Sequence, residues 1–453
     1  MENLKQETKN PRRRLADLPK RTLSAASSVT SYGGPKKDVR ACVVIEIGRR
    51  LTKIGLAGEF VPSDIFPTQY VDALARKTYE LFNDSYTERE QYFILANFFK
   101  EIVFRRLLTT INERRVMIVE SVLTPTRVRD AIARALFECP SLAPDSVLFA
   151  PSHLLCSFTF NAKNCVVVDI GSQETLLFPI AEGCLMLAQY ESTPLGAVAV
   201  EEKLRALLLR HARIRIALTE KHASLDKSPL RSLTDNDIQY LNARGLVEDM
   251  VVRFCFATTL ARGQKIQRCE SVEDFDETPV PDVELSFGTD TLILPGFVRE
   301  AAAEVLFTHG VLNERSIPQI ILDVIMKVPI DLRRVFLGRL LVVGGLARMR
   351  GFLARLKAEL VALLADAAEY ARHAALTDVG FYRFEEDINQ ELYCGWLGGS
   401  MFASCDVVEG RAITLDDWLA QTASPKSVPD WTRHIDSYFR ISEPTETVQQ
   451  RIR

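Results

Sequence analysis

Cys42-Val43-Val44-Ile45-Glu46-Ile47-Gly48 opens the patterned part of a 453-residue chain, and Cys165-Val166-Val167-Val168-Asp169-Ile170-Gly171 repeats it almost letter for letter. Each is an unbroken apolar run, rich in β-branched side chains, that closes on an acid and a glycine. That is the pattern of a strand buried on both faces and ending in a tight turn. A second apolar run follows each, Leu51-Thr52-Lys53-Ile54-Gly55-Leu56-Ala57-Gly58 and Thr175-Leu176-Leu177-Phe178-Pro179-Ile180, so each pair reads as a hairpin. Any buried strand can read Val-Val-Val. The cysteine, the acid and the glycine at matching register argue instead for an internal duplication. Two copies at long spacing mark two similar lobes rather than a solenoid.

Working outward, Val116-Met117-Ile118-Val119-Glu120 reads as a further buried strand. Helical periodicity appears at Ile94, Leu95, Phe98, Phe99, Ile102 and Val103, and again at Val128, Ile132 and Leu136. Later, Leu340-Leu341-Val342-Val343 runs into Gly344-Gly345, and a helix over Phe352, Leu353, Leu356, Leu360 and Leu363 is expected directly after it. Strand, paired glycines and helix is a geometry that lets backbone amides approach a phosphate or nucleoside, though alone it is weak. A fourth glycine pair, in Trp396-Leu397-Gly398-Gly399-Ser400-Met401-Phe402-Ala403, is expected to lead into a short helix.

Length and composition frame this reading. A single core stops growing near ~250–300 residues, so two large lobes are expected. The apolar share of 47% and charged share of 25% are those of an ordinary globular protein, and a net charge of −3 offers no field for nucleic acid. Residues 1–40 carry ten Lys/Arg against four Asp/Glu and include Pro11-Arg12-Arg13-Arg14. Residues 1–38 read as a disordered basic tail, its arginines either a solvated run or a patch for an acidic partner or nuclear import. The nine cysteines and six histidines show no metal-binding spacing, and an odd scatter of cysteines reads as reduced thiols inside the cell. No apolar run approaches the ~18 residues of a membrane span.

The order of these features resembles the actin family. Two acid-and-glycine hairpins, a Val-Val-Gly-Gly turn and a Trp-Leu-Gly-Gly-Ser segment follow one another as they do in actins. Further matches are Ile65-Phe66-Pro67 after Gly58-Glu59, Val119 to Pro125, Ile325-Met326-Lys327 with Ile330-Asp331-Leu332-Arg333, and Gly344 to Phe352. Together they span about residues 41–420. The resemblance implies an α/β, two-lobed actin/Hsp70/hexokinase-type fold with a duplicated mixed-sheet core around a nucleotide cleft. The expected divisions are an outer lobe of 39–67 with 92–159 and 394–453, and a reduced second subdomain at 68–91. An inner lobe follows from 160–195 with 295–393, and a fourth subdomain at 196–294. Arg115 to Leu123, Leu148 to Leu154 (with Ala150-Pro151-Ser152-His153-Leu154), Pro194-Leu195-Gly196 and Pro429-Asp430-Trp431 resemble the branch at the pointed end of the dynactin filament.

The resemblance implies ATP or ADP with Mg²⁺ between the hairpins, with Glu46 and Asp169 holding the hydrated metal. Gly48, Lys53, Asp169, Gly171, Gly344 and Gly345 would meet the nucleotide. One carboxylate per hairpin suits magnesium, which keeps several waters; the alternative for each acid is a turn cap at a strand end. Other positions depart from the family. Arg49 and Arg50 stand where actins have small residues against the phosphates, and they are free either to clamp phosphate or to point to solvent. The second loop continues Ser172-Gln173, without the family's second acid and glycine. Ser152, seventeen residues before Asp169, occupies the place of the glutamine that positions attacking water. Val251-Val252 replace the polar pair that contacts adenine. ATP hydrolysis is therefore expected to be absent or very slow, and the chain not to act as an enzyme.

From Pro67 to Glu120 the chain is shorter than in actins, in the region of the small outer subdomain that grips the next filament subunit. The resemblance then implies a non-polymerising cap at the pointed end of the actin-related filament of dynactin. Its partners would be that filament's subunits, pointed-end-complex subunits and, indirectly, dynein, in the cytoplasm on microtubules. A nuclear subunit of a chromatin-remodelling complex and an actin-like ATPase are the other two readings.

Overall fold

The computed structural model describes residues 41–217, 229–269, 278–308, 315–366, 369–370, 376, 378–384, 388–405, 411–422 and 426–428. The expected tail at 1–38 and the Pro429-Asp430-Trp431 segment lie outside them.

The repeat seen in the sequence is a repeat of topology. In the first lobe Val43–Ile47 pairs antiparallel with Leu51–Leu56 and parallel with Arg115–Glu120. In the second, Cys165–Ile170 pairs antiparallel with Thr175–Ala181 and parallel with Leu340–Val343. The two hairpin turns close in the same way: the Gly48 amide donates to the Leu51 carbonyl at 3.1 Å, and the Gly171 amide to the Glu174 carbonyl at 3.0 Å. Arg49-Arg50 and Ser172-Gln173 are thus carried on equivalent turns despite their different chemistry. The central strands are apolar along their length because both faces are covered.

The first sheet has six strands, in the order Ile413–Thr414, Ser146–Pro151, Arg115–Glu120, Val43–Ile47, Leu51–Leu56, Asp64–Pro67. Helices Glu88–Lys100 and Thr126–Phe137 cover one face, burying Phe98, Phe99, Ile132 and Leu136 against Ile45 and Ile118. Thr87 and Glu90 form a reciprocal capping box that starts the first of these helices. The helix runs on into a π-helical segment, Glu101–Arg106, so the ordered turns extend past the apolar periodicity that ends at Val103.

The two lobes meet on a pair of helices, Ser152–Phe158 and Cys394–Ala403, which lie between the sheets. Leu155 and Trp396 pack on the first sheet with Val44 and Val119, while Cys156 and Cys394 pack on the second with Val167 and Leu341. The Trp396 Nε1 donates to the Val44 carbonyl at 3.1 Å, which satisfies a fully buried indole. Gly398 and Gly399 do not lead into this helix but sit within it. A Cβ on Gly398 would lie 2.0 Å from the Leu155 carbonyl oxygen. Gly398 lets the two helix backbones touch, and Gly399, whose Cβ would lie 2.7 Å from Val119 Cγ2, lets the helix sit down on the first sheet.

Gly344-Gly345 likewise differs from expectation. A 3-10 turn, Gly345–Arg348, separates the pair from helix Phe352–Asp366. Gly344 has φ +98°, and a Cβ there would meet the Ile170 carbonyl oxygen at 2.3 Å, so the chain bends sharply away from the second hairpin before the helix starts. In the second lobe a four-stranded sheet of Leu230–Ser232, Arg213–Arg215, Asp290–Leu294 and Val283–Phe287 lies apart from the central sheet. At the other extreme of the first lobe, a separate two-stranded sheet pairs Gln69–Asp72 with Lys77–Glu80. Tyr70 stacks on Tyr79 and meets Phe93 edge-on, which anchors this hairpin to helix Glu88–Lys100. Leu74 stands at its tip, 99% exposed.

Candidate functional site

The site begins with the register of the first hairpin. Glu46 and Lys53 face each other across its two strands, and the Lys53 Nζ donates to the Glu46 Oε1 at 2.6 Å. The other carboxylate oxygen, Oε2, is buried without a hydrogen-bond partner. A buried charged acceptor of this kind is costly unless water or a cation meets it.

Contacts lead from Glu46 to the second hairpin. A Cβ built on Gly395 would lie 3.3 Å from the Ser152 Cβ and 3.6 Å from the Glu46 carboxylate carbon, so these three positions converge at the base of the groove. Ser152 begins the hinge helix, and its hydroxyl lies 3.4 Å from the Nδ1 of His153. His153 Nε2 in turn stands 3.7 Å from the Asp169 Oδ2. The imidazole is buried against Phe178, and burial pushes it down to about 3, so it is neutral and the contact with Asp169 is not an ion pair. The Asp169 side chain is open over a third of its surface yet walled in by protein elsewhere. Burial raises its carboxyl above the usual range, and the positive charge of Lys53 works against that rise. Lys53 therefore acts on carboxylates from both hairpins. Glu174, at the end of the second turn, is also raised, by burial and by the charge of Asp169.

Gly344 pairs with neither strand but lies beside Asp169: a Cβ there would sit 3.0 Å from Oδ1. Gly345 faces open space. Gly171 sits at the second turn, where its carbonyl and that of Ser172 accept from the Ala197 and Val198 amides and bind the start of helix Ala197–His211. Val251 is buried and Val252 is 75% exposed, so helix Leu246–Phe254 offers no polar group at either place.

The two arginines of the first turn part company. Arg49 is exposed. Arg50 turns instead to two acids of the second lobe. Its Nη1 lies 2.5 Å from Glu201 Oε1 and 3.4 Å from Glu248 Oε1, with Nη2 3.4 Å from Glu201 Oε2. Glu201 is on helix Ala197–His211 and Glu248 on helix Leu246–Phe254, both in the second lobe. Burial alone would weaken the guanidinium's charge, but the bond to Glu201 and the charge of Glu248 outweigh it. Glu201 also accepts from Arg205 at 3.2 Å, so the cluster balances two cations against two anions. Glu201 gave a signal in the sequence: it is an acid on the buried face of a helix, among Val200, Leu204 and Leu208. Nothing in the sequence tied it to Arg50.

The acids of the two hairpins suit a hydrated divalent ion, since one carboxylate comes from each hairpin and Glu46 carries an unmet buried oxygen. Among the described residues no three His, Cys, Asp or Glu side chains gather closely enough to enclose a metal, so such an ion would keep most of its water. The nucleotide span fits less well. Glu248 lies one helical turn before Val251-Val252, the positions where the resemblance places the adenine contacts. The Arg50–Glu248 contact thus runs from the first hairpin turn to the helix that carries those positions.

Duplicated hairpins with glycine turns, in two lobes joined by a pair of packed helices, define the class of fold. The sequence profile of the actin family matches residues 37–424, and the chain belongs to that family. It is 25% identical to actin-related protein 10 of Dictyostelium discoideum, over 90% of this chain and 93% of that protein. It is 22% identical to actin-related protein 4 of Schizosaccharomyces pombe, over 82% of this chain and 92% of the other. Centractin of Saccharomyces cerevisiae matches at 21%, over 69% and 71%. Among the described residues no helix is long and apolar enough to cross a membrane.

Proposed function

We propose that the protein is a non-polymerising cap on the pointed end of the actin-related filament of dynactin, serving dynein-driven transport along microtubules in the cytoplasm. One observation carries the reading: between Pro67 and helix Glu88–Lys100 the only sheet is the hairpin Gln69–Asp72 with Lys77–Glu80. A head-to-tail filament needs two different working faces on each subunit. The resemblance places one of them, the pointed-end face, on the outer subdomain that is here reduced to this hairpin. A body with one working face joins a polymer at its end and is not extended. The similarity to actin-related protein 10 supports the same role. Its partners are then the filament's own actin-related subunits, the other pointed-end subunits and, through them, dynein.

The groove supports a structural rather than an enzymatic part in this. Ser152 is too short to hold an attacking water where a glutamine would, and phosphoryl transfer rests on such positioning. Hydrolysis of ATP is absent or very slow.

A second reading, a subunit of a nuclear chromatin-remodelling complex, draws support from the basic run Pro11-Arg12-Arg13-Arg14 in the sequence. Capture of the tagged full chain from cell extract, followed by mass spectrometry, separates the two. The proposed role predicts actin-related filament and dynein subunits. Recovery of chromatin-remodelling subunits in their place would overturn it.

A further inference from the structure

We infer that Arg50 is an internal tie that holds the two lobes together in place of a bound nucleotide. The inference rests on reading the groove as the family's nucleotide cleft. Both ends of the tie are stiff. The Arg50 backbone is fixed by the Gly48-to-Leu51 turn bond, and its carbonyl accepts from the Thr68 amide at 2.9 Å. At the far end Glu201 is 6% exposed in its side chain and is held by Arg205 as well. Arg50 and Glu201 are 151 residues apart in the chain, and a planar guanidinium meeting both oxygens of one carboxylate fixes orientation as well as distance.

In a cleft protein whose lobes are bridged by a ligand, closure depends on the ligand's presence. Here the chain carries its own cation from the first hairpin turn, which the resemblance sets against phosphate, to Glu201 and Glu248 on two helices of the second lobe, the latter near the positions it sets against adenine. A nucleotide entering along this path must displace the guanidinium from Glu201 and Glu248 and leave two carboxylates facing its own negative charge. Closure therefore needs no nucleotide, and nucleotide competes with the tie. The body presents one shape to its filament whether or not ATP or ADP is present, which suits a permanent end subunit that does not cycle.

The test is thermal unfolding of the full-length protein, with and without millimolar MgATP, together with equilibrium binding of a fluorescent ATP analogue. The native chain should melt at the same temperature in both conditions. Arg50→Gly should melt lower by about 3 °C or more without nucleotide and recover that loss with MgATP. It should also bind the analogue about tenfold more tightly than the native chain. Glu201→Gln, which weakens the tie without changing the turn, should move both readouts in the same directions and serves if Arg50→Gly does not fold. The inference is overturned if MgATP stabilises the native chain as much as the variants, or if both variants melt like the native chain and gain no nucleotide affinity. Capture of filament subunits by the native chain is read separately, so a failed tie and a failed capping role give different results.

Discussion

Lys53 and Glu46 meet at 2.6 Å across the first hairpin with only 10% and 15% of their side chains exposed. Removing one partner of such a pair leaves the other charge poorly solvated. Lys53→Met should therefore destabilise the fold by about 2–4 kcal/mol in urea unfolding. Lys53→Met combined with Glu46→Gln should cost clearly less than the sum of the two single changes. Strict additivity would mean that the two groups do not depend on each other.

Ser152 gives a prediction about chemistry. In single-turnover assays with labelled ATP, the native chain should show no hydrolysis above buffer. Ser152→Gln alone should not restore it, because the second turn still reads Ser172-Gln173 and Arg50 still crosses the groove. A burst of phosphate from Ser152→Gln would show that the missing glutamine is the only lesion.

Two glycines should respond in opposite degrees to alanine. Gly398→Ala drives a methyl into the Leu155 carbonyl between two packed hinge helices, and should cost about 3 kcal/mol or more, or prevent folding. Gly183 has φ +75° but open space around it, so Gly183→Ala should cost only about 1 kcal/mol of backbone strain. Chemical denaturation of the two variants checks the contrast.

Thiol labelling gives a further check on packing. None of the nine cysteines forms a disulfide. Cys184 and Cys405 are exposed, while burial pushes the thiols of Cys42, Cys165 and Cys255 up to about 12. Since the thiolate is the reactive form, a maleimide at neutral pH should modify Cys184 and Cys405 quickly and leave Cys42, Cys165 and Cys255 untouched until the protein is unfolded. Peptide mapping by mass spectrometry reads the sites directly.

Much of the architecture was legible because it depends on local pattern. Both hairpins, with their acids and glycines, announced themselves as apolar runs of matching register, and helix Thr126–Phe137 followed from its spacing. What stayed hidden depends on what a residue meets far along the chain. The Arg50 side chain meets Glu201 and Glu248 on the second lobe, far along the chain, and an arginine in a turn looks the same whether it meets solvent or acid. Gly398-Gly399 read as the lead into a helix rather than part of one, because glycine signals both helix boundaries and close helix packing. Only the position of Leu155 separates the two. The 3-10 turn after Gly344 was hidden for the same reason, since its cause is the Ile170 carbonyl on another strand.

The most direct test of the capping role is electron microscopy of actin-related filaments assembled from purified subunits in the presence of this protein carrying a terminal gold label. Label is expected at one end only, the pointed one, with no filaments from the protein alone. Label along filament sides or at both ends, or self-assembly of the purified chain into long double-stranded filaments, would contradict it.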